Sequence, residues 1–186
     1  MVMATSNEVL AFLAQRRSYG LKEVSPEPIE RSAIELILQA ATLAPSHGVT
    51  EPWRFVVYSG EARAELGAAL VAAAQGDPFQ EAKQRDKVWM APVWIALGMQ
   101  PQPKNPEWEE LAAVAMAVQN AHLMAAQLGL AAKWSSGPIG THEIVAKTVG
   151  FEAPTKLLGF LYVGKPAVTP KPLARSDWQS KTTWKE

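Results

Sequence analysis

The sequence predicts an α+β domain in which a central mixed or antiparallel sheet packs among helices. Segments with helical periodicity outnumber strand-like runs, and the two kinds follow one another in a mixed order. Four short apolar runs bounded by turn-forming residues predict strands at 55–58, 93–98, 131–134 and 157–163. Residues 107–128 carry apolar side chains on nearly every face, which is typical of a helix buried in the core or between subunits.

The first half of the chain predicts helices separated by proline and glycine. Residues 7–16 form the first of them, with an apolar face and with Ser6 or Asn7 as the N-cap. The second starts at Ile29, and Pro45 ends it because proline lacks an amide hydrogen and clashes with the preceding turn. Two further helices are expected at 61–75 and 78–90.

The second half predicts a long helix, a short helix and an arm. Gly129 is placed to end the long helix in a left-handed conformation. Thr141 is expected to cap a short helix that Gly150 ends. The chain then becomes rich in proline and lysine, so we expect residues 165–186 to form an extended C-terminal arm. The whole chain, 1–186, is predicted to be one domain.

Composition excludes several classes of function. Lys plus Arg and Asp plus Glu both number 18, so no basic excess indicates nucleic acid. The absence of cysteine excludes disulfides and thiolate metal sites, and the three separated histidines show no metal-ligand spacing. We interpret His122 as a core histidine with satisfied hydrogen bonds and His142 as a surface residue. With no signal peptide and no apolar run of about 20 residues, we expect a cytoplasmic protein that does not enter a membrane.

The motif Arg16-Arg17-Ser18 falls where the first predicted helix ends. One interpretation is structural, because cations at a helix C-terminus complement the helix dipole. The other is an anion site, in which a guanidinium group grips a phosphate and the serine hydroxyl adds a donor. The motif alone leaves both interpretations open.

A second motif joins a helix end to a strand. Pro45-Ser46-His47 follows the second helix, and Pro52-Trp53 leads into the first strand. The loop between them exposes small polar groups, and His47 could donate to a carbonyl or phosphate oxygen. A structural loop with Ser46 as a cap and Trp53 in the core is the alternative.

A third motif, Trp134-Ser135-Ser136-Gly137, follows a predicted strand. Such a strand end exposes backbone N–H groups that can line up on an acceptor. The alternative is a plain connection from a strand to a helix.

In this order and at these separations, the motifs resemble the nitroreductase family, over about residues 8–166. The family has a helix ending in Arg-x-Ser, a Pro-Ser and Pro-Trp pair, a Gly-Leu turn after a long central helix, and a last strand ending in Gly-x-Pro. The counterparts here are Arg16-Arg17-Ser18, Pro45-Ser46, Pro52-Trp53, Gly129-Leu130 and Gly164-Lys165-Pro166.

The resemblance implies a homodimer that binds FMN at the subunit interface. Arg16 and Ser18, with Arg17 between them, would hold the phosphate and the ribityl chain. Ser46 and His47 would reach the flavin from the partner subunit. A dimer would also give the uniformly apolar long helix a second subunit to pack against.

The resemblance also implies the chemistry. The loop Trp134-Ser135-Ser136-Gly137 would lie along the isoalloxazine ring. Arg175 or Lys171 of the arm would bind the phosphate, and the alternative is that the arm is a solvated segment without this role. NADH or NADPH would reduce the flavin, and an electron-poor acceptor such as a nitroaromatic or a quinone would reoxidise it. No side chain needs to act as a nucleophile or base, so no catalytic side chain is predicted.

The sequence departs from the family pattern at four positions, namely Gly20, Val49, Glu51 and Ser135. Several charged or hydrogen-bonding contacts to the flavin are therefore missing or replaced. Two alternatives follow. One is a flavin enzyme of the same fold with another reaction, such as dehalogenation, enoyl or diene reduction, or metabolite oxidation. The other is a dimeric binding protein that has lost flavin turnover.

Overall fold

A computed structural model of the protein describes residues 4–170 and 174–186. It is an α+β fold built on a four-stranded antiparallel sheet in the order β1-β2-β4-β3. The strands are β1 Trp53–Ser59, β2 Val93–Met99, β3 Ala131–Ser135 and β4 Lys156–Gly164. The helices are α1 Ser6–Gln15, α2 Arg31–Thr42, α3 Arg63–Ala73, α4 Pro78–Arg85, α5 Glu107–Gln127 and α6 Glu143–Val149. The predicted fold class and all four predicted strands are confirmed, and the sheet is purely antiparallel.

The sheet is buried on both faces, and alternation along β2 shows how. Ile95 and Leu97 pack into a cluster with α2 and α5 on one face. Trp94 and Ala96 pack into a second cluster with α3 and α6 on the other face. The molecule therefore has three layers, with α5 lying along one face of the sheet.

Three predicted details of the helices are wrong. The N-cap of α1 is Thr5, which forms a reciprocal capping box with Glu8 and so satisfies two amides that Ser6 or Asn7 would leave free. His142, whose Nδ1 accepts from the Ile144 amide at 3.2 Å, caps α6 in place of Thr141.

The third detail is the segment 78–90, which divides at Asp86 into α4 and a 3-10 turn. The division has a structural reason. The indole of Trp94 donates to the Val88 carbonyl at 3.0 Å, and Arg63 donates to the Ala91 carbonyl at 2.8 Å. These bonds draw the end of the segment into the core, where Val88 is fully buried.

The first residues of the predicted arm lie beside residues 23–25. The Ser25 amide donates to the Lys165 carbonyl, and the Ala167 amide donates to the Glu23 carbonyl, both at 2.8 Å. These bonds attach the start of the arm to the rest of the domain. The side chains of residues 174–186 are exposed. Lys171 lies outside the described residues. No helix in the described part of the chain is long and apolar enough to cross a membrane.

A close backbone contact fixes the loop after β3. Gly159 in β4 has a φ of +107°, and a Cβ atom there would lie 2.2 Å from the Ser135 carbonyl oxygen. The pairing of β2 with β4 shifts register at this point, which marks a β-bulge. Glycine is required because any side chain would collide with the backbone of the crossing loop.

We therefore expect Gly159→Ala to lower the free energy of unfolding by about 2 kcal/mol or more, through backbone strain and the clash with Ser135. In a chain of this size that corresponds to a fall in Tm of about 4–8 °C, measured by thermal unfolding. Gly140→Ala is the matched control, because its Cβ would meet Phe160 at an ordinary 3.9 Å. Equal Tm values for the two variants would contradict this account of the loop.

Candidate functional site

Residues 18–19 add to the free edge of β3. Ser18 forms an isolated parallel bridge with Ala132, and the Tyr19 amide donates to the Ala132 carbonyl at 3.2 Å. The Tyr162 hydroxyl donates to the Tyr19 carbonyl at 2.7 Å. Burial, with a smaller contribution from the charge of Glu23, raises the pKa of Tyr162 to about 12, so the hydroxyl stays a neutral donor. These contacts hold the end of the α1 segment beside β3.

Three arginine side chains lie close to one another near this edge of the sheet. Arg16 donates to Ser18 Oγ at 3.3 Å. Burial lowers the pKa of Arg16, and the positive charges of Arg175 and Arg17 lower it further. The arm therefore returns Arg175 close enough for its charge to act on Arg16. A group of like charges of this kind favours the binding of an anion.

Arg17 has a second, structural role. Its guanidinium group donates to the Ala14 carbonyl, and to the Arg16 carbonyl at 3.0 Å. These are carbonyls at the C-terminal end of α1, which intrahelical bonds leave unsatisfied. Arg17 thus does what the structural interpretation of the motif expected, and its role as a cofactor ligand stays a prediction.

A pocket of about 300 Å³ opens beside Arg16. Its polar and aromatic lining comes from the Arg16 motif, from β3 and from the C-terminal half of α5. These residues are Arg16, Ser18, Gln119, His122, Lys133 and Trp134. The structure thus brings the first and third sequence motifs to one cavity.

His122 differs from its sequence interpretation. The residue is 7% exposed, as a core residue should be, but no described residue hydrogen-bonds its ring. Burial, together with the charge of Arg16, lowers the pKa of His122 to about 4. The ring is therefore neutral at neutral pH, and its nitrogen atoms, which no described residue bonds, are open to the pocket.

The loop after β3 presents backbone donors. The Trp134 indole donates to the Leu158 carbonyl at 2.8 Å, and Ser135 pairs with Phe160, so the start of the loop is rigid. The amides of Ser136 and Gly137, which are exposed, find no acceptor among the described residues. Two adjacent free N–H groups at a fixed strand end can serve an acceptor atom of a ligand.

The loop carrying Ser46 and His47 has an unusual backbone. Gly48, Val49 and Glu51 all have positive φ values, of 61°, 54° and 46°. Ser46 Oγ accepts from the Glu51 amide at 3.1 Å, and His47 Nδ1 contacts Glu109 on α5. The hydroxyl of Ser46 is thus used within the loop, while the His47 side chain is 66% exposed.

A buried carboxylate that sequence reasoning missed holds this loop. Glu110 is 1% exposed and accepts from Thr50 Oγ1 at 2.8 Å and from Asn105 Nδ2 at 3.0 Å. Asn105 also donates to the His47 carbonyl at 3.0 Å. Glu110 lies on the buried side of the otherwise apolar helix α5. A carboxylate at such a position is rare without hydrogen-bond partners, and this is the sequence signal that could have identified it.

Within one chain, Ser46 and His47 of the second motif do not line the pocket beside Arg16. His47 contacts Glu109 in the first turn of α5, and His122 lies thirteen residues further along the same helix. At the rise of an α-helix these positions are about 20 Å apart. Ser46 and His47 border a separate groove with Trp108 and Met116. Among the described residues, no three His, Asp or Glu side chains meet as a possible metal site.

The fold and the sequence both have known relatives. The crystal structure of the nitroreductase-like family protein from Bacillus cereus superposes with a TM-score of 0.86 at 26% identity, over 100% of this chain and 99% of that one. A Desulfovibrio desulfuricans structure in complex with FMN superposes with a TM-score of 0.78 at 25% identity, over 98% and 99% of the two chains. The fold is therefore nitroreductase-like.

Among curated proteins, the Escherichia coli K12 protein named "Putative NAD(P)H nitroreductase YdjA" is 30% identical over 164 residues, which are 86% of this chain and 88% of that protein. The family model described as Nitroreductase family matches residues 13–165. The match spans most of the chain, including the Arg16 motif and the loop after β3. The chain belongs to the nitroreductase family.

Proposed function

We propose that the protein is an FMN-dependent oxidoreductase that takes electrons from NADH or NADPH and passes them to an electron-poor small molecule such as a nitroaromatic or a quinone. Membership of the nitroreductase family makes it an oxidoreductase. The observation that carries the proposal is the cationic pocket at the edge of β3, next to backbone amides that have no acceptor among the described residues. The E. coli relative is named for NAD(P)H, and the D. desulfuricans structure contains FMN.

The residues present fit such a cofactor. FMN offers a phosphate, a chain of hydroxyls and a flat ring with hydrogen-bond acceptors. Arg16, Ser18 and Arg175 supply cationic and hydroxyl donors for the phosphate. The amides of Ser136 and Gly137, which bond no acceptor in the described part of the chain, supply donors for the ring.

When bound, FMN supplies the two-electron chemistry that the side chains of the pocket lack. The chain's own contribution is to bind and orient. Donors at Ser136 and Gly137 would face ring acceptors that gain negative charge on reduction, and fixed donors stabilise such charge because they need no reorganisation. The rigid attachment of Trp134 to Leu158 keeps these donors in place.

The proposal includes a homodimer in the cytoplasm, with each flavin site shared by two subunits. The dimer is supported by apolar side chains that are exposed in the single chain. Val9, Leu10 and Leu13 on α1 are 44%, 64% and 44% exposed, and α1 has no buried residue. Met116 on α5 is 41% exposed. A partner covering these faces would bury the apolar surface and carry its own Ser46 and His47 to this chain's pocket.

We expect the purified protein to bind FMN and to show flavin absorbance that NADH or NADPH bleaches under anaerobic conditions. Addition of a nitroaromatic or a quinone should restore the absorbance. A protein that neither carries nor takes up FMN would contradict the proposal and favour a binding protein. Retained FMN that neither nicotinamide bleaches would favour a flavin enzyme with another reaction.

We expect Arg16→Ala to weaken FMN binding because charge-assisted hydrogen bonds to the phosphate are lost. The expected loss is about 1.5–3 kcal/mol, or about ten- to a hundredfold in Kd. Titration followed by flavin fluorescence measures it. Arg31→Ala is the matched control, because Arg31 lies on α2 in an exposed pair with Glu35. A folded Arg16→Ala protein with unchanged Kd would remove Arg16 from the site.

A further inference from the structure

We propose that His122 is a ligand of the cofactor phosphate, at the inner wall of the pocket that Arg16 and Ser18 line. This inference rests on the proposed binding of FMN. It gives the mid-helix histidine of α5 a binding role, where the sequence pattern indicated a core residue.

The first argument is the lack of a partner. Buried polar side chains in folded proteins almost always have a hydrogen-bond partner. His122 is 7% exposed and lines the pocket, no described residue hydrogen-bonds its ring, and its nitrogen atoms are open to the pocket rather than sealed in the core. An imidazole whose nitrogen atoms open onto a cavity can form a hydrogen bond with a group bound there.

The second argument is the charge around the ring. Arg16 is close enough for its charge to act on His122, and Lys133 of β3 lines the same pocket. Arg17 and Arg175 act in turn on Arg16. The ring therefore shares its pocket with the cations Arg16 and Lys133, and Arg175 of the arm adds its charge through its proximity to Arg16. A phosphate is the part of FMN that this concentration of positive charge selects.

The third argument is the protonation state of the ring. With a pKa of about 4, His122 is neutral at pH 7 and keeps one N–H donor and one acceptor nitrogen. The donor can bond a phosphate oxygen without adding another buried charge to the arginine cluster. A bound phosphate would offset the charge of Arg16, which raises the pKa of His122 towards its ordinary value.

Two variants of His122 test the contact. We expect His122→Leu to raise the Kd for FMN about tenfold and to change the Kd for riboflavin, which lacks the phosphate, by less than about twofold. His122→Gln, which keeps an N–H donor, should recover part of the lost affinity. Equal weakening of FMN and riboflavin binding by His122→Leu would overturn the proposal, because that result indicates packing alone.

Imidazole nitrogen shifts in the wild-type protein provide a test that does not depend on a folded variant. The chain has three histidines, His47, His122 and His142, so the signals can be assigned by substitution. FMN should move the His122 signals more than riboflavin does, and His142, which caps α6, should not move. No shift of His122 on saturation with FMN would overturn the proposal.

The same measurement separates this proposal from the proposed function. If the wild-type protein binds no FMN, the proposed function fails, and the probe becomes inorganic phosphate. A saturable shift of the His122 signals with phosphate would then still support an anion ligand at this position. No shift with phosphate would overturn the role of His122 as well.

Discussion

The attachment of residues 18–19 to β3 is the interaction on which the site depends. Its hydrogen bonds are the Tyr19 amide to the Ala132 carbonyl and the Tyr162 hydroxyl to the Tyr19 carbonyl. Through them, the end of an exposed helix becomes part of the rigid edge of the sheet. The cations of the α1 segment thereby reach the same cavity as the loop after β3, and Gly159 lets that loop pass close to β4.

Helix α5 relates the two halves of the site. Its first turns hold the loop of Ser46 and His47 through Glu109 and the buried Glu110. Its later turns form the wall of the cationic pocket at His122. Both groups are fixed, and within one chain they border two separate cavities along α5. A second copy, covering the exposed apolar faces, is the arrangement that joins them without unfolding either loop.

Much of the fold could be predicted because it depends on local rules. Apolar periodicity located the strands, and Gly129 and Gly150 end α5 and α6 with positive φ, as their positions predicted. The family motifs also drew attention to the Arg16 segment, which lines a pocket in the structure, while its role as a flavin site stays a prediction. The features that these local rules did not predict depend on tertiary contacts. Whether His122 finds a partner, and whether Glu110 holds a loop, are decided by residues distant in sequence.

The central claim is that one flavin site needs residues from two chains. Its most direct test is a hybrid dimer of an Arg16→Ala chain and a His47→Ala chain, co-expressed with different tags and purified through both. The account predicts that each parent dimer is impaired, while the hybrid regains one intact site of two, about half of the wild-type FMN binding and activity. A hybrid as impaired as its parents would contradict the shared site, because both residues would then act within the same chain.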